Sequence, residues 1–354
     1  MGRFKRSSEN GQNDIRGHFM KKLLIANRGE IAVRLIRAGK ELGIKTVAIF
    51  AKEDEFAVHR FKADESYLVG EGKAPIAAYL DIDDIIRIAK ETGADAIHPG
   101  YGFLSENDEF AAAVEAAGIK FVGPRVEHLK MFGDKITAKQ AAIKAGVPTV
   151  PGTDHPVESI EEALAFGAEH GYPLFVKSAA GGGGRGMRVV EHDDELREAF
   201  ERAASEAQQS FGKAEIYLEK YLQDPKHVEI QILADEQGEV MHLFERDSSI
   251  QRRHQKIIEF APAVSVSVDM RRRIQDAAVK LMQSVDYQSA GTVEFLVDGD
   301  DFYFIEVNPR VQVEHTVTEE ITGVDIVKSQ LLIAQGYGLH EAPLNIPAQD
   351  KLLA

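Results

Sequence analysis

"GTVEFLVDGDDFYFIEVNPRVQVEH", residues Gly291–His315, decides how this chain is read. "TVEFLV" and "FYFIEV" are two strand-like runs separated by Gly299, Asp300 and Asp301. A three-residue loop there pairs Asp298 with Phe302, and the same register sets Glu294 opposite Glu306. Residues so placed have Cβ atoms about 4.5–5.5 Å apart. Apolar neighbours on both sides indicate burial, and two buried like charges are unfavourable unless one is protonated or a cation lies between them. Asn308 is two residues beyond Glu306 and shares its face. Two carboxylates and an amide oxygen form a hard oxygen site suited to Mg²⁺ shared with phosphates. The competing reading is a pair of surface glutamates on an edge strand. If the alternation runs on, Arg310, Gln312 and Glu314 share one face and Val311 and Val313 the other. An arginine, an amide and a carboxylate in that order can bind a small planar anion and remove a proton from it.

Upstream, "AAGGGGRGM" (Ala179–Met187) follows the apolar run "YPLFVK" and leads into "RVV". A Walker-type loop needs G-x-x-x-x-G-K-[ST] opening a helix. Here strands flank the glycines, so the segment reads as a hairpin tip with bare N–H groups over phosphates, or as a plain flexible loop. Lys177 would place a fixed charge beside it. A third cluster, "ERDSSIQRRHQK", ends at Lys256 and is either a solvated charged edge or part of the same site.

Toward the N-terminus, short β-like runs alternate with helical ones from Lys22 onward, implying a parallel sheet covered by helices on both faces. The first turn, "ANRGE", is not G-x-G-x-x-G and gives no support for dinucleotide binding. Ser105 with Asp108 resembles a capping box, and "MFGDKITAKQAAIKAG" reads as one helical stretch. A net charge of −15 argues against general nucleic-acid binding but not against a local anion site. The absence of cysteine excludes disulfides, thiolate metal sites and a cysteine nucleophile, and fits a cytoplasmic setting. No run of about 18 apolar residues reads as a membrane span. Residues 1–19 are polar and read as a disordered extension, an upstream start or residues added ahead of the natural beginning at Met20.

These motifs together resemble the biotin carboxylase component of biotin-dependent carboxylases. "ANRGEIAVR", "HPGYGFLSEN", "GGGGRGMRVV", "EKYL", "ERDSSIQRRHQK" and "EVNPRVQVEHTVTE" occur in the family's order. "FKADESYLVG", "PIAAYLDID" and "AGTVEFL" lie nearer its pyruvate carboxylase branch than its acetyl-CoA branch. The resemblance implies an α/β chain with a Rossmann-like parallel-sheet subdomain over 20–133 and an ATP-grasp fold over 134–342. A mobile lid would occupy about 151–223, and 343–354 would begin a truncated C-terminal subdomain. It also implies a further stretch on the order of a hundred residues, typical of a subdomain.

The implied chemistry is phosphorylation of bicarbonate by ATP, with Mg²⁺ or Mn²⁺, to carboxyphosphate, whose CO₂ passes to N1 of biotin. By motif match, Lys135, Lys177 and Gly181, Gly182, Gly183 and Gly184 would hold phosphates. Glu219, Lys220 and Leu222 would take the adenine side, with His227, Gln251 and His254 completing the nucleotide site. Glu294, Glu306 and Asn308 match the family's metal site. Lys256, Arg310, Gln312 and the backbone of Val313 resemble the bicarbonate pocket, Glu314 the base, and Arg310 the cation steadying the biotin enolate. Implied partners are a biotinyl carrier domain, a carboxyltransferase domain and other copies of the chain. Ser248 stands where the family often has cysteine. The rival readings are another ATP-grasp ligase, such as a carbamoyl-phosphate synthetase half, and an inactive nucleotide-binding fragment.

Overall fold

The structure, a computed structural model, describes residues 20–153, 155–178, 187–211, 216–252 and 255–352. The extension 1–19, the glycines 181–184 and His254 therefore lie outside the described residues.

The N-terminal sheet contains β1 (Lys22–Ile25), β2 (Lys45–Phe50), β3 (Glu65–Leu68), β4 (Ala96–His98) and β5 (Lys120–Phe121). All pairings are parallel and the order is β3-β2-β1-β4-β5, as the βα alternation requires. Gly29, at φ 65°, opens the first helix, Gly29–Glu41, directly after β1. The proposed capping box is displaced: Asn107 caps the helix Asp108–Ala116, accepting from Phe110 N, while Ser105 is buried two residues earlier. "MFGDKITAKQAAIKAG" breaks after Gly133, because the Asp134 side chain caps a second helix, Lys135–Lys144.

A small antiparallel sheet follows, β6 (Leu174–Ser178), β7 (Met187–Val190) and β8 (Ile216–Lys220), in the order β7-β6-β8. Lys177 pairs with Met187, so the strands on either side of the glycine segment do form a hairpin. This unit has its own core, in which Leu174, Val176, Leu196 and Leu218 are buried together.

The last sheet is antiparallel in the order β11-β10-β9-β12-β13, from β9 (Lys226–Ala234), β10 (Val240–Arg252), β11 (Gln255–Phe260), β12 (Ser289–Asp298) and β13 (Asp301–Asn308). The helix Val268–Ser284 packs on one face through Met270, Ile274, Leu281 and Met282. The other face joins the N-terminal unit: Leu23, Ile25, Leu233, Leu243, Val311 and Leu331 belong to one continuous core. That shared core fixes the N-terminal sheet relative to the last one, and the candidate site lies where they meet.

Burial holds the pKa of His59, His98, His128, His242 and His315 below the ordinary histidine value, for His98 at about 3. His98 accepts from Gly100 N at Nδ1, so its Nε2 is the donor to Gln330 (3.2 Å). Unfolded histidines take up protons near pH 6.5, before these folded ones do. Stability is therefore at its full value above that pH and is lost as pH falls toward the lowered values. Each histidine contributes a slope of at most about 1.4 kcal/mol per pH unit. Urea denaturation between about pH 7 and 4 should show this loss, with a shallower slope for His98→Gln. Equal slopes would clear His98.

Candidate functional site

The hairpin β12–β13 closes with a two-residue loop, not three: Asp298 pairs with Asp301. Gly299, at φ 60°, takes the first loop position, as a primed hairpin turn requires. That register alone would set Glu294 opposite Ile305. A bulge at Ile305 restores it, so Glu294 pairs with Glu306, Val293 with Val307 and Thr292 with Asn308. The expected juxtaposition is present, reached by a shorter loop plus a bulge.

Glu294 also pairs with Glu229 on β9, and Glu229 with Arg246 on β10. An Arg-Glu-Glu-Glu row thus crosses four strands, where like charges directly opposite would destabilise the sheet without cations. Arg246 and Lys256 supply them. Lys256 Nζ donates to Glu229, to Glu294 Oε1 (2.9 Å) and to Glu314 Oε1 (3.3 Å), one carboxylate for each of its N–H groups. Burial acts against its charge, but Glu229 and Glu294 outweigh that and raise its pKa.

Glu294 carries most of its contacts on one oxygen. Oε1 also accepts from Asn308 Nδ2 (2.7 Å) and Gln312 Nε2 (3.2 Å), and Oε2 accepts from His227 Nε2 (2.5 Å). Gln251 Nε2 in turn donates to His227 Nδ1 (2.9 Å). Burial favours the neutral acid at Glu294, yet His227 and Lys256 hold its pKa well below the usual range. Glu306 has no hydrogen-bond or ion-pair partner among the described residues, and burial and the Glu294 charge raise its pKa. Lys135 stands near enough for its charge to act in the opposite direction.

Beyond Asn308 the chain is not a strand: residues 309–314 form an irregular segment before the helix His315–Thr322. Pro309 breaks the ladder, lacking an N–H. The segment still buries Val311 and leaves Val313 exposed. Arg310 donates to Glu106 (2.5 Å) and Asn308 Oδ1 (3.0 Å), and Gln312 is buried.

Lys256, His227, Gln251, Glu294, Glu306, Asn308, Arg310, Gln312, Val313 and Glu314 line one cavity of about 590 Å³. Tyr101 and Gly102 of the N-terminal unit close it, held by Asn27 Nδ2 donating to Tyr101 O (2.8 Å). A larger cavity of about 820 Å³ beside Met20, Asp95 and Gln335 includes Lys120 and Glu236, which pair with each other (2.6 Å).

Lys177, Glu219, Lys220 and Leu222 belong to the small sheet and its exit, not to the walls of the 590 Å³ cavity. Lys177 pairs with Glu219 (2.5 Å), Lys220 donates to Tyr172 O (3.0 Å) and Leu222 is buried. Lys135 opens the helix Lys135–Lys144. Sequence reading missed Glu229, Glu259 and Arg246. Glu259 lines the cavity; burial, with Glu314 and Glu229 nearby, pushes its carboxyl up to about 7. Glu229, Glu259 and Glu314 have oxygens within 4.8 Å of one another, and Lys256 already bonds Glu229 and Glu314. Glu229 was recoverable: it is the lone acid in the apolar strand "KHVEIQILA", the signal that exposed Glu294.

Residues 19–129 match the family model "Biotin carboxylase, N-terminal domain", and 134–342 match "Carbamoyl-phosphate synthase L chain, ATP binding domain". The biotin carboxylase domain of a thermophilic 2-oxoglutarate carboxylase bound to bicarbonate superposes with a TM-score of 0.87 at 46% identity, covering 93% of this chain and 72% of that one. The chain belongs to the biotin carboxylase family. Its fold is the ATP-grasp fold of biotin carboxylase domains, preceded by the parallel-sheet subdomain. The biotin carboxylase subunit of a pyruvate carboxylase superposes with a TM-score of 0.81 at 48% identity, covering 93% and 72% of the two chains. Pyruvate carboxylase of Bacillus subtilis is 60% identical over 333 residues, and human mitochondrial pyruvate carboxylase 54% over 326. These spans are 94% and 92% of this chain but only 29% and 28% of those enzymes. Although the ATP-binding model is named for carbamoyl-phosphate synthase, the N-terminal match and the neighbours place the chain among biotin carboxylases rather than with that rival.

Proposed function

We propose that the chain carboxylates biotin with bicarbonate at the expense of ATP, the first half-reaction of pyruvate carboxylase. The observation that carries this is the cavity itself, where Lys256, Arg310 and Gln312 gather with Glu314 beside Glu306, which has no hydrogen-bond or ion-pair partner among the described residues. Bicarbonate is bound by Lys256, Arg310, Gln312 and the Val313 backbone. All three Lys256 donors are occupied, and the Glu314 contact is the longest. Transfer of that N–H to the anion frees a Glu314 lone pair, which takes the bicarbonate proton as its oxygen attacks the γ-phosphorus. The bond from the γ-phosphorus to the β-phosphate oxygen breaks and ADP leaves. Carboxyphosphate then splits at its carbon–oxygen bond into CO₂ and phosphate, the phosphate takes the N1 proton of biotin, and N1 bonds the CO₂ carbon.

Glu294 and Glu306 suit a divalent cation because Glu306 is a carboxylate with no ion-pair partner among the described residues. Asn308 joins them only by turning its oxygen from Arg310. Bound Mg²⁺ or Mn²⁺ neutralises phosphate charge. Lys135, Lys177, Glu219, Lys220, Leu222, His227 and Gln251 hold the nucleotide. Partners are a biotinyl carrier domain, a carboxyltransferase domain and a second copy; one solved neighbour is described as a domain dimer. No helix among the described residues is long and apolar enough to cross a membrane, and we place the protein in the cytoplasm.

The test is ADP release with and without bicarbonate and free biotin. Cleavage that requires bicarbonate and rises with biotin supports the reading; bicarbonate-dependent cleavage indifferent to biotin favours the carbamoyl-phosphate synthetase type, and no cleavage favours a binding fragment. Lys177→Ala should weaken ATP binding about tenfold, a charge-assisted contact discounted for the loss of its Glu219 pair. An unchanged calorimetric Kd would exclude Lys177 from the phosphate site.

A further inference from the structure

Arg246 is fully buried, and every one of its five N–H groups has an acceptor. Nε donates to Glu229 Oε1 (2.5 Å), and Nη1 to Gln231 Oε1 and Thr318 Oγ1 (2.8 Å each). Nη2 donates to Thr292 Oγ1 (3.4 Å) and Gln312 Oε1 (2.7 Å). A guanidinium has no acceptor, so the Gln312 atom facing it has to be the oxygen. The Gln312 amide nitrogen is thereby turned the other way. One of its N–H groups reaches Glu294 Oε1, and the other has no acceptor among the described residues. The same guanidinium occupies Glu229 Oε1 and leaves Oε2 to Lys256.

We propose that Arg246 is a positioning residue for the anion pocket: it locks Gln312 so that only N–H faces the cavity, and holds Glu229 so that Lys256 stays beside it. This rests on the reading that the cavity binds bicarbonate. With the amide reversed, Gln312 would present an oxygen to the anion, replacing a donor with a repulsive lone pair. Arg246 donates to none of the residues assigned to the nucleotide, so its direct contacts act on the bicarbonate side. A lysine keeps the charge but offers three donors from one nitrogen and cannot span five acceptors.

The experiment is a double-mutant cycle on the whole chain, with bicarbonate affinity read from line broadening of [¹³C]bicarbonate and ATP affinity from calorimetry. Arg246→Lys and Gln312→Ala should each weaken bicarbonate about tenfold, with ATP affinity changed less than about twofold. In the Arg246→Lys background, Gln312→Ala should cost nothing more, because the amide is no longer held. Thr318→Val removes an Arg246 partner on the helix His315–Thr322, outside the cavity walls. It should cause a smaller loss of bicarbonate affinity, again absent without Gln312, and it decides the question alone if Arg246→Lys does not fold. Multiplicative losses in the decisive cycle, or equal weakening of ATP and bicarbonate, overturn the proposal and leave the reading of the site standing. Failure of the unaltered chain to bind bicarbonate removes both.

Discussion

Glu306→Gln should abolish magnesium-dependent ATP cleavage while leaving the metal-free chain at least as stable as the parent. Glu294 already accepts from His227, Lys256, Asn308 and Gln312, whereas Glu306 faces it across the ladder with no partner of its own among the described residues. Burial disfavours the ionised form of Glu306, and without a cation ionisation also adds a second negative charge opposite the first, which is why its pKa is raised. A raised carboxyl pKa means that the unfolded chain loses its proton first, so this group costs stability above the ordinary glutamate value of about 4.3. Glutamine is neutral and nearly isosteric, so that cost disappears. With metal present the balance reverses, because the variant offers one charged ligand fewer. Turnover should fall by a factor on the order of 100 or more, the scale of losing charge stabilisation at a transferring phosphoryl group. The checks are ADP release against Mg²⁺ concentration and urea denaturation in a chelator. Retained metal-dependent turnover would show that Glu306 is not a ligand, and a destabilised metal-free variant would contradict the repulsion.

The pairing behind this prediction shows how far the sequence could be read. Side chains on a strand alternate with period two, so the two-residue loop without Ile305 as a bulge would turn Glu306 away from Glu294. Sequence reasoning assigned the extra residue to the loop, whereas the chain places it inside the ladder. The face came out right, since loop and bulge shift the register equally. The parallel sheet was legible because βα alternation leaves few topologies. Residues 309–314 were not, because the pattern Arg-Val-Gln-Val-Glu has strand period although Pro309 ends the pairing. Arg246 was hidden for a different reason. Inside "ERDSSIQRRHQK" it looks like one of several solvated charges, and only the pairing of β10 with β9 shows that it is buried against Glu229.

Lys256→Ala is expected to remove bicarbonate-dependent turnover and also to destabilise the fold, with a characteristic dependence on pH. Lys256 is the cation shared by Glu229, Glu294 and Glu314, and Glu259 lies in the same cavity wall. Removing one partner of a buried ion pair costs about 3 kcal/mol because the remaining charge has lost its compensation. In the parent chain the raised Lys256 pKa means that its contribution is complete below the ordinary lysine value of about 10.4, and is lost only as pH rises past it. It is thus fully present at about pH 8 and at about pH 5 alike. In the variant, the uncompensated carboxylates can relieve their repulsion by binding protons, and Glu259, at about 7 even with Lys256 present, is first to do so. The stability difference should therefore be largest near pH 8 and shrink as pH falls toward about 5. Lys256→Met keeps the aliphatic stem and separates the loss of charge from the loss of packing. It should reproduce both the pH dependence and the loss of turnover, which should fall on the order of 100-fold as a preorganised donor disappears. Urea denaturation of both variants at the two pH values, together with bicarbonate-dependent ADP release, decides the matter. A destabilisation independent of pH would show that Lys256 acts by packing and that the carboxylates do not depend on its charge.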